Sequence, residues 1–358
     1  MKNIDGNFIA FYLKNLLWAE SAPYFQSIIY DIHKEFTTTM SEVVFSHATD
    51  ILELHVCRDG LIMFRFESFE SKRPELEFHP PHPKNRFDKL VDFHYKYIKL
   101  ANIIQLILFS SIQEEAELFP ALPLSITTQD IINLKFMNGE FNGAGYLGNG
   151  ALAMYLHHGR FLSSYPQSSG YNLDHIHYDH RILSRRGVLK EKVVERCYDK
   201  LVFILKDASL FDILNQLSSS ISDYTLFNYS QSIVQSWFII EKFINKHWND
   251  YLFKTNNESE DHNTRINKSR SDFLTGRDFT ASIISNILEL NSIIDIETLR
   301  NIDKIRKRRN VIAHNLGNQN SEPTREECQS AFNIVNYFLN KNYSISINTG
   351  YGLSVSGV

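Results

Sequence analysis

Three side chains late in the chain, Arg309, Asn310 and His314, have the types and the spacing to do chemistry. They sit in Leu299–Leu316, LRNIDKIRKRRNVIAHNL, where apolar residues recur at 299, 302, 305, 312 and 316. That three-and-four spacing draws one stripe down a helix. At about 100° per residue, Arg309 falls on the stripe, between Leu316 and Ile302. A guanidinium keeps its charge, so on an apolar seam it needs an anionic partner or a polar cleft. His314 carries an imidazole whose ordinary pKa of about 6.5 lets it take or give a proton near neutrality. Asn310 and His314 lie four residues apart and share a second face of the helix.

A plainer reading accounts for part of this. Lys304, Arg306, Lys307, Arg308 and Arg309 crowd the last turns of a helix that Gly317 would terminate. Cations there offset the negative end of the helix dipole, and glycine is the usual residue just past the end. Dipole compensation explains the four other cations. It leaves Arg309 on the apolar stripe, and the Asn310–His314 pair, without a reason. An arginine followed, after four intervening residues, by a histidine occurs once in the chain; Arg73 and His79, in a Pro-rich stretch, are separated by five.

Composition bounds what surrounds this helix. The 358 residues are 43 % hydrophobic, with 26 Phe and 17 Tyr, enough for two domains with sizeable cores. A net charge of −4 excludes a generally basic nucleic-acid coat, so any such contact is local. Cys57, Cys197 and Cys328 are far apart, odd in number and without a CxxC, which fits a reducing compartment and argues against a disulfide frame or a structural zinc. MKNIDGNFIAFYLKNLLWAE carries Lys14 within its apolar stretch and lacks a small-residue cleavage site, so no signal peptide is expected. The longest apolar run, Ile103–Ile112, is too short for a bilayer. The expected location is the cytoplasm.

The pattern along the chain predicts an α+β domain over 1–187, an all-α up-and-down bundle over 188–341 and a tail over 342–358. In the first part, Ile51–Val56 and Leu61–Phe66 flank CRDG, whose Asp59-Gly60 signals a hairpin. The alternation in Leu61–Phe66 predicts a half-buried strand. ELEFHPPHP, with His79 and His82 between prolines, cannot be helix. Phe87–Glu117 reads as one long helix or two joined, and Ile126–Met137 as a strand before the Gly-rich FNGAGYLGNG. In the second part helices are expected over Lys190–Leu217, Ser230–Leu252, Asp278–Leu290, Ile296–Leu316 and from the Thr324/Glu327 capping box to Asn340, with a mobile polar loop over Thr255–Asp272.

A late helical bundle with Arg-polar-x-x-x-His near the end of its penultimate helix resembles the HEPN family. The matching residues are Arg309, Asn310 and His314, and the resemblance covers roughly 190–341. The early bundle helix containing WFIIEKFI is similar to the family's first helix, where an acidic or polar residue often faces the site; Glu241 matches. Glu241 is equally readable as a solvent-facing charge or a partner of Lys242 or Lys246. The resemblance implies a metal-independent endoribonuclease with no cofactor. In it the RNA 2′-hydroxyl attacks phosphorus, imidazole and imidazolium move the protons, a guanidinium holds the phosphate and a 2′,3′-cyclic phosphate results. It further implies a homodimer with the site shared between two copies, and a role in antiviral defence or as a toxin. The first half would sense a trigger or bind a regulatory partner. Lys304, Arg306, Lys307 and Arg308 would then line the approach of the RNA. On a straight helix Arg309 and His314 point about 140° apart, so chain pairing or a bent last turn would have to bring them together. A non-catalytic binding or dimerisation module is the alternative.

Two further motifs carry less. His175-x-His177-x-Asp179-His180 has a spacing that can ligate two zinc ions, which would make a metal-dependent hydrolase. It follows SSYPQSSGYNLD, not a buried apolar strand, and no metal is expected there. Gly143-x-Gly145-x-x-Gly148 matches the dinucleotide fingerprint but lacks the βαβ continuation, so a tight Gly-rich turn is expected.

Overall fold

The protein is described from a computed structural model covering residues 4–13, 17–21, 42–73, 84–115, 123–138, 140–146, 187–257, 266–314 and 322–347. An antiparallel sheet region comes first and a mostly helical part follows. By internal packing the chain divides into Met1–Asn215 and Gln216–Val358.

The first unit is built on a six-stranded sheet: β1 (Gly6–Tyr12), β3 (Val43–Ala48), β4 (Leu52–Cys57), β5 (Leu61–Phe66), β6 (Ile132–Met137) and β7 (Glu140–Tyr146), in the order β3-β4-β5-β1-β6-β7 with every neighbouring pair antiparallel. A separate parallel pair joins β2 (Leu17–Ala19) to β8 (Gly187–Leu189). The β4–β5 hairpin closes where Asp59-Gly60 predicts it. Gly60 takes φ +85°, and a Cβ there would collide with the Leu17 carbonyl, so only glycine fits. Tyr12 donates to Asp59 Oδ2 at 2.5 Å, and the Leu61 amide donates to Oδ1 at 3.2 Å.

β5 departs from the half-buried expectation. Leu61, Ile62, Met63 and Phe64 are all buried, because β5 is an inner strand with both faces covered. Leu61 and Met63 join Phe8, Ala10, Ile132 and Leu134 in one apolar cluster. Phe64 on the other face meets Tyr97, ring centroids 5.7 Å apart. Tyr97 belongs to the long helix α2 (Lys84–Glu115), which follows the short α1 (Glu67–Glu70) and is a single element. FNGAGY is strand, not turn: Gly143 and Gly145 sit in β7 opposite Lys135 and Asn133, an arrangement unlike a strand-to-helix phosphate loop. Gly148 and the His175–His180 cluster lie outside the described residues.

Lys190–Leu217 is two helices, α3 (Glu191–Ile204) and α4 (Ala208–Thr225). The break is written in Asp207, whose Oδ1 accepts from the amides of Ser209 and Leu210 at 2.8 and 3.0 Å and so starts a new helix. α3 buries Val193, Val194, Cys197, Tyr198 and Leu201 and packs along α2. Tyr198 donates to the Leu52 carbonyl at 2.7 Å, and Lys200 pairs with Glu114 at 2.7 Å. α3 therefore belongs with the sheet, and the compact division falls after Asn215 where the sequence suggests 187–190.

In the second unit α5 (Tyr229–Asn257) is the common partner of α7 (Ala281–Leu290), α8 (Ile296–His314) and α9 (Arg325–Tyr343). Its apolar faces supply the core: Phe243 stacks on Phe338 at 5.2 Å and Trp248 on Phe279 at 5.7 Å. Within Thr255–Asp272, expected to be loop, residues 268–272 open a further helix, α6 (Lys268–Leu274), capped by Asn267 accepting from the Arg270 amide at 2.9 Å. α7 starts after Thr280, three residues later than Asp278 suggested. The Thr324/Glu327 capping box is present and starts α9. Residues 342–347 of the expected tail are tied back, Ile347 exchanging hydrogen bonds with the Asn336 side chain at 2.6 and 3.0 Å. The three cysteines are buried and no disulfide joins them. Among the described residues no helix is long and apolar enough to cross a membrane.

Candidate functional site

The candidate site lies on α8, and its first turn fixes the helix firmly. Asp295 accepts from the Thr298 amide at 2.7 Å and the Thr298 hydroxyl at 2.9 Å. Those bonds to the ionised form hold the Asp295 carboxyl below its usual range. Thr298, Leu299, Ile302 and Ile305 are then buried. The stripe opens at this point. Arg309 and Ile312, which continue it, are half-buried, and the helix ends at the exposed His314.

Arg309 donates from Nη1 to Asn310 Oδ1 at 3.2 Å. Among the described residues no carboxylate pairs with its guanidinium. Among the described residues, a half-buried cation on the apolar seam is thus held only by a neighbouring amide. His314 has no hydrogen-bond partner among the described residues. α8 stays α-helical through His314, so no bent last turn brings the imidazole back toward Arg309. The two groups leave the helix about 140° apart, as a regular helical step requires.

Glu241 occupies α5, which packs against α8. It is half-buried and continues the stripe of the buried Trp237, Ile244 and Trp248 at helical spacing. No ion pair reaches it among the described residues. Lys246 instead turns to Tyr343, 4.6 Å from the ring centroid and 3.3 Å from the hydroxyl. Of the four expected site residues, the structure joins Arg309 to Asn310. Within one chain it brings neither His314 nor Glu241 into hydrogen-bond reach of them, among the described residues.

The four expected cationic contacts divide. Arg308 is 19 % exposed; its Nε donates to Glu327 Oε2 at 3.0 Å and it also donates to the Glu322 carbonyl. Glu327 is the same carboxylate that accepts the Thr324 amide at 2.9 Å in the capping box, so Arg308 ties α8 to the start of α9. Arg306 and Lys307 both pair with Asp303 at 2.6 Å, which holds the Asp303 carboxyl below its usual range. Lys307 remains 69 % exposed. Lys304 is exposed and unpaired among the described residues. Arg300 was missed by the motif-centred reading. It is exposed two turns earlier, and its signal is the spacing 300, 304, 307, 311, 314, which repeats one face of the helix.

Among the described residues no group of three or more His, Cys, Asp or Glu side chains gathers as metal ligands would. No protein-family model matches the chain, and neither does any curated protein or solved structure.

Proposed function

We propose that the helical second half is a HEPN-like, metal-independent endoribonuclease acting in the cytoplasm as a homodimer, in antiviral defence or as a toxin, with the first half as its sensor or the seat of a regulatory partner. The observation that carries this reading is Arg309: a permanent cation, half-buried on an apolar seam, without a carboxylate partner among the described residues, five residues from an exposed imidazole. Leaving such a charge without an anion is costly unless an anion arrives from outside.

The divergence of Arg309 and His314 sets the form of the site. One chain supplies a guanidinium on one side of α8 and an imidazole on another, so a phosphodiester meets both only where a second copy faces the first. Paired copies also provide two imidazoles. One takes the proton from the 2′-hydroxyl as the 2′-O–P bond forms. The other, as imidazolium, gives a proton to the 5′-oxygen as the P–O5′ bond breaks. Arg309 offsets the charge gathered on phosphorus, and Asn310 orients Arg309. Glu241, on α5 packed against α8, is the fourth residue assigned to the site in this reading; within one chain it makes no hydrogen bond to the other three among the described residues.

The test is cleavage of RNA by His314→Ala and Arg309→Ala proteins whose helical content and melting are unchanged. Each is expected to lose about 10²- to 10⁴-fold in rate, the usual worth of a positioned acid–base or oxyanion-binding group. Cleavage that persists in both variants, or that stops on adding EDTA, overturns the reading. The same divergence favours, as a second reading, a dimerising module without catalysis, which would fold and pair but cut no RNA.

A further inference from the structure

We infer that the solvent face of α8 is a track for the backbone of single-stranded RNA, formed by Arg300, Lys304 and Lys307 and running to His314. This deepens the nuclease reading and rests on it for the role of His314. Positions 300, 304, 307, 311 and 314 fall within an arc of about 80° on a regular helix and span about 21 Å of its axis. All five are exposed. The opposite face carries the buried Thr298, Ile302 and Ile305 and then Arg309. The helix is therefore divided lengthwise: one side docks into the unit, and the other is a row of cations with a proton carrier at its end.

The track differs from the one the basic run suggests. Arg306 and Arg308 flank the row and are already engaged, Arg306 with Asp303 and Arg308 with Glu327 and the Glu322 carbonyl. Arg308 is mostly covered, so extracting it for a phosphate would break the tie between α8 and α9. Lys307 also pairs with Asp303, but in an exposed pair that water and salt screen, so a phosphate can displace the carboxylate at small cost. Asp303 thus acts as an internal counter-ion that weakens the track. A polyanion fits this face better than a bilayer does. The row holds Val311 as its one apolar member, and the apolar face a membrane-bound helix would insert is already buried. Ending on the imidazole favours a nucleic-acid strand over an acidic protein.

Binding of a fluorescein-labelled oligouridylate, followed by anisotropy over a series of salt concentrations with the full chain, decides the matter. Each phosphate contact on a single strand contributes about 0.7 to the slope of log K against log salt. The triple variant Arg300→Gln/Lys304→Gln/Lys307→Gln is expected to lower that slope by about 2. Arg306→Gln and Arg308→Gln are expected to leave it unchanged, and Asp303→Asn to tighten binding several-fold. An unchanged slope in the triple variant overturns the track. So does an equal fall in Arg306→Gln or Arg308→Gln, or polyglutamate binding as tightly as oligouridylate. The two proposals fail separately. RNA cleavage that ignores the triple substitution sinks the track alone, whereas slope-dependent binding by a chain that never cleaves sinks the nuclease alone.

Discussion

α2 and α8 are both long helices, and they use their polar residues in opposite ways. From Leu100 to Ser111 every residue of α2 is buried. Asn102 serves the fold: its amide donates to the carbonyls of Ile98 and Ile126, each at 3.0 Å, and its Oδ1 accepts from the Ile126 amide at 2.8 Å. A helix covered all round is core. α8 buries a narrow stripe over its first turns and leaves its polar groups outward, with one cation stranded at the point where burial ends. Polar groups that the fold consumes are structural; those it leaves over are where function is to be sought.

That contrast can be broken by substitution. Leu100→Ala in α2 is expected to cost about 2–5 kcal/mol, from lost burial plus the cavity left behind, and denaturant unfolding measures it. Arg308→Ala should cost about 1.5–3 kcal/mol, the worth of a hydrogen bond to a charged group, because Arg308 ties α8 to the start of α9 through Glu327. Lys304→Ala, on the exposed track, should change stability by less than about 0.5 kcal/mol while altering RNA binding. If Lys304→Ala destabilises as much as Arg308→Ala, the division of α8 into a structural and a free side is wrong.

A pH profile sharpens the same comparison. Burial, with Arg73 nearby, pushes the His94 imidazole of α2 from 6.5 down to about 4. The native state therefore favours neutral His94, and the unfolded chain binds more protons between those two values. The contribution to stability is complete above about pH 6.5 and falls as pH drops toward 4. Urea midpoints measured across this window should decline toward acid, and His94→Gln should flatten that decline. An unaltered profile in the variant would show that His94 is not the group responsible.

Much of the local structure was legible because its cause is local. Asp59-Gly60 marks a hairpin, Thr324 with Glu327 marks a helix start, and the periodicity from Phe87 marks α2. What escaped depended on partners far away in the chain or on a single side chain. The burial of both faces of β5 depends on residues distant in the chain, Tyr97 of α2 against Phe64 on one face and Phe8 and Ile132 clustered with Leu61 and Met63 on the other. The division of Lys190–Leu217 comes from the one carboxylate of Asp207. In the candidate site, Arg309 on the seam and His314 at the helix end were readable from helical spacing. The engagement of Arg308 was not, since Glu327 is reached only through the packing of α8 on α9. Arg300 was readable in principle, but a reading centred on the dense basic run stops short of it.

The proposed site requires two chains sharing one cleft, and a mixing experiment addresses that directly. Wild-type protein is combined with increasing proportions of His314→Ala protein at constant total concentration, allowed to exchange subunits, and assayed for RNA cleavage in EDTA. Because a mixed dimer would hold a single imidazole where two are needed, activity should fall as the square of the wild-type fraction. A fall in simple proportion to that fraction would mean that each chain carries a complete site of its own, and would contradict the shared cleft.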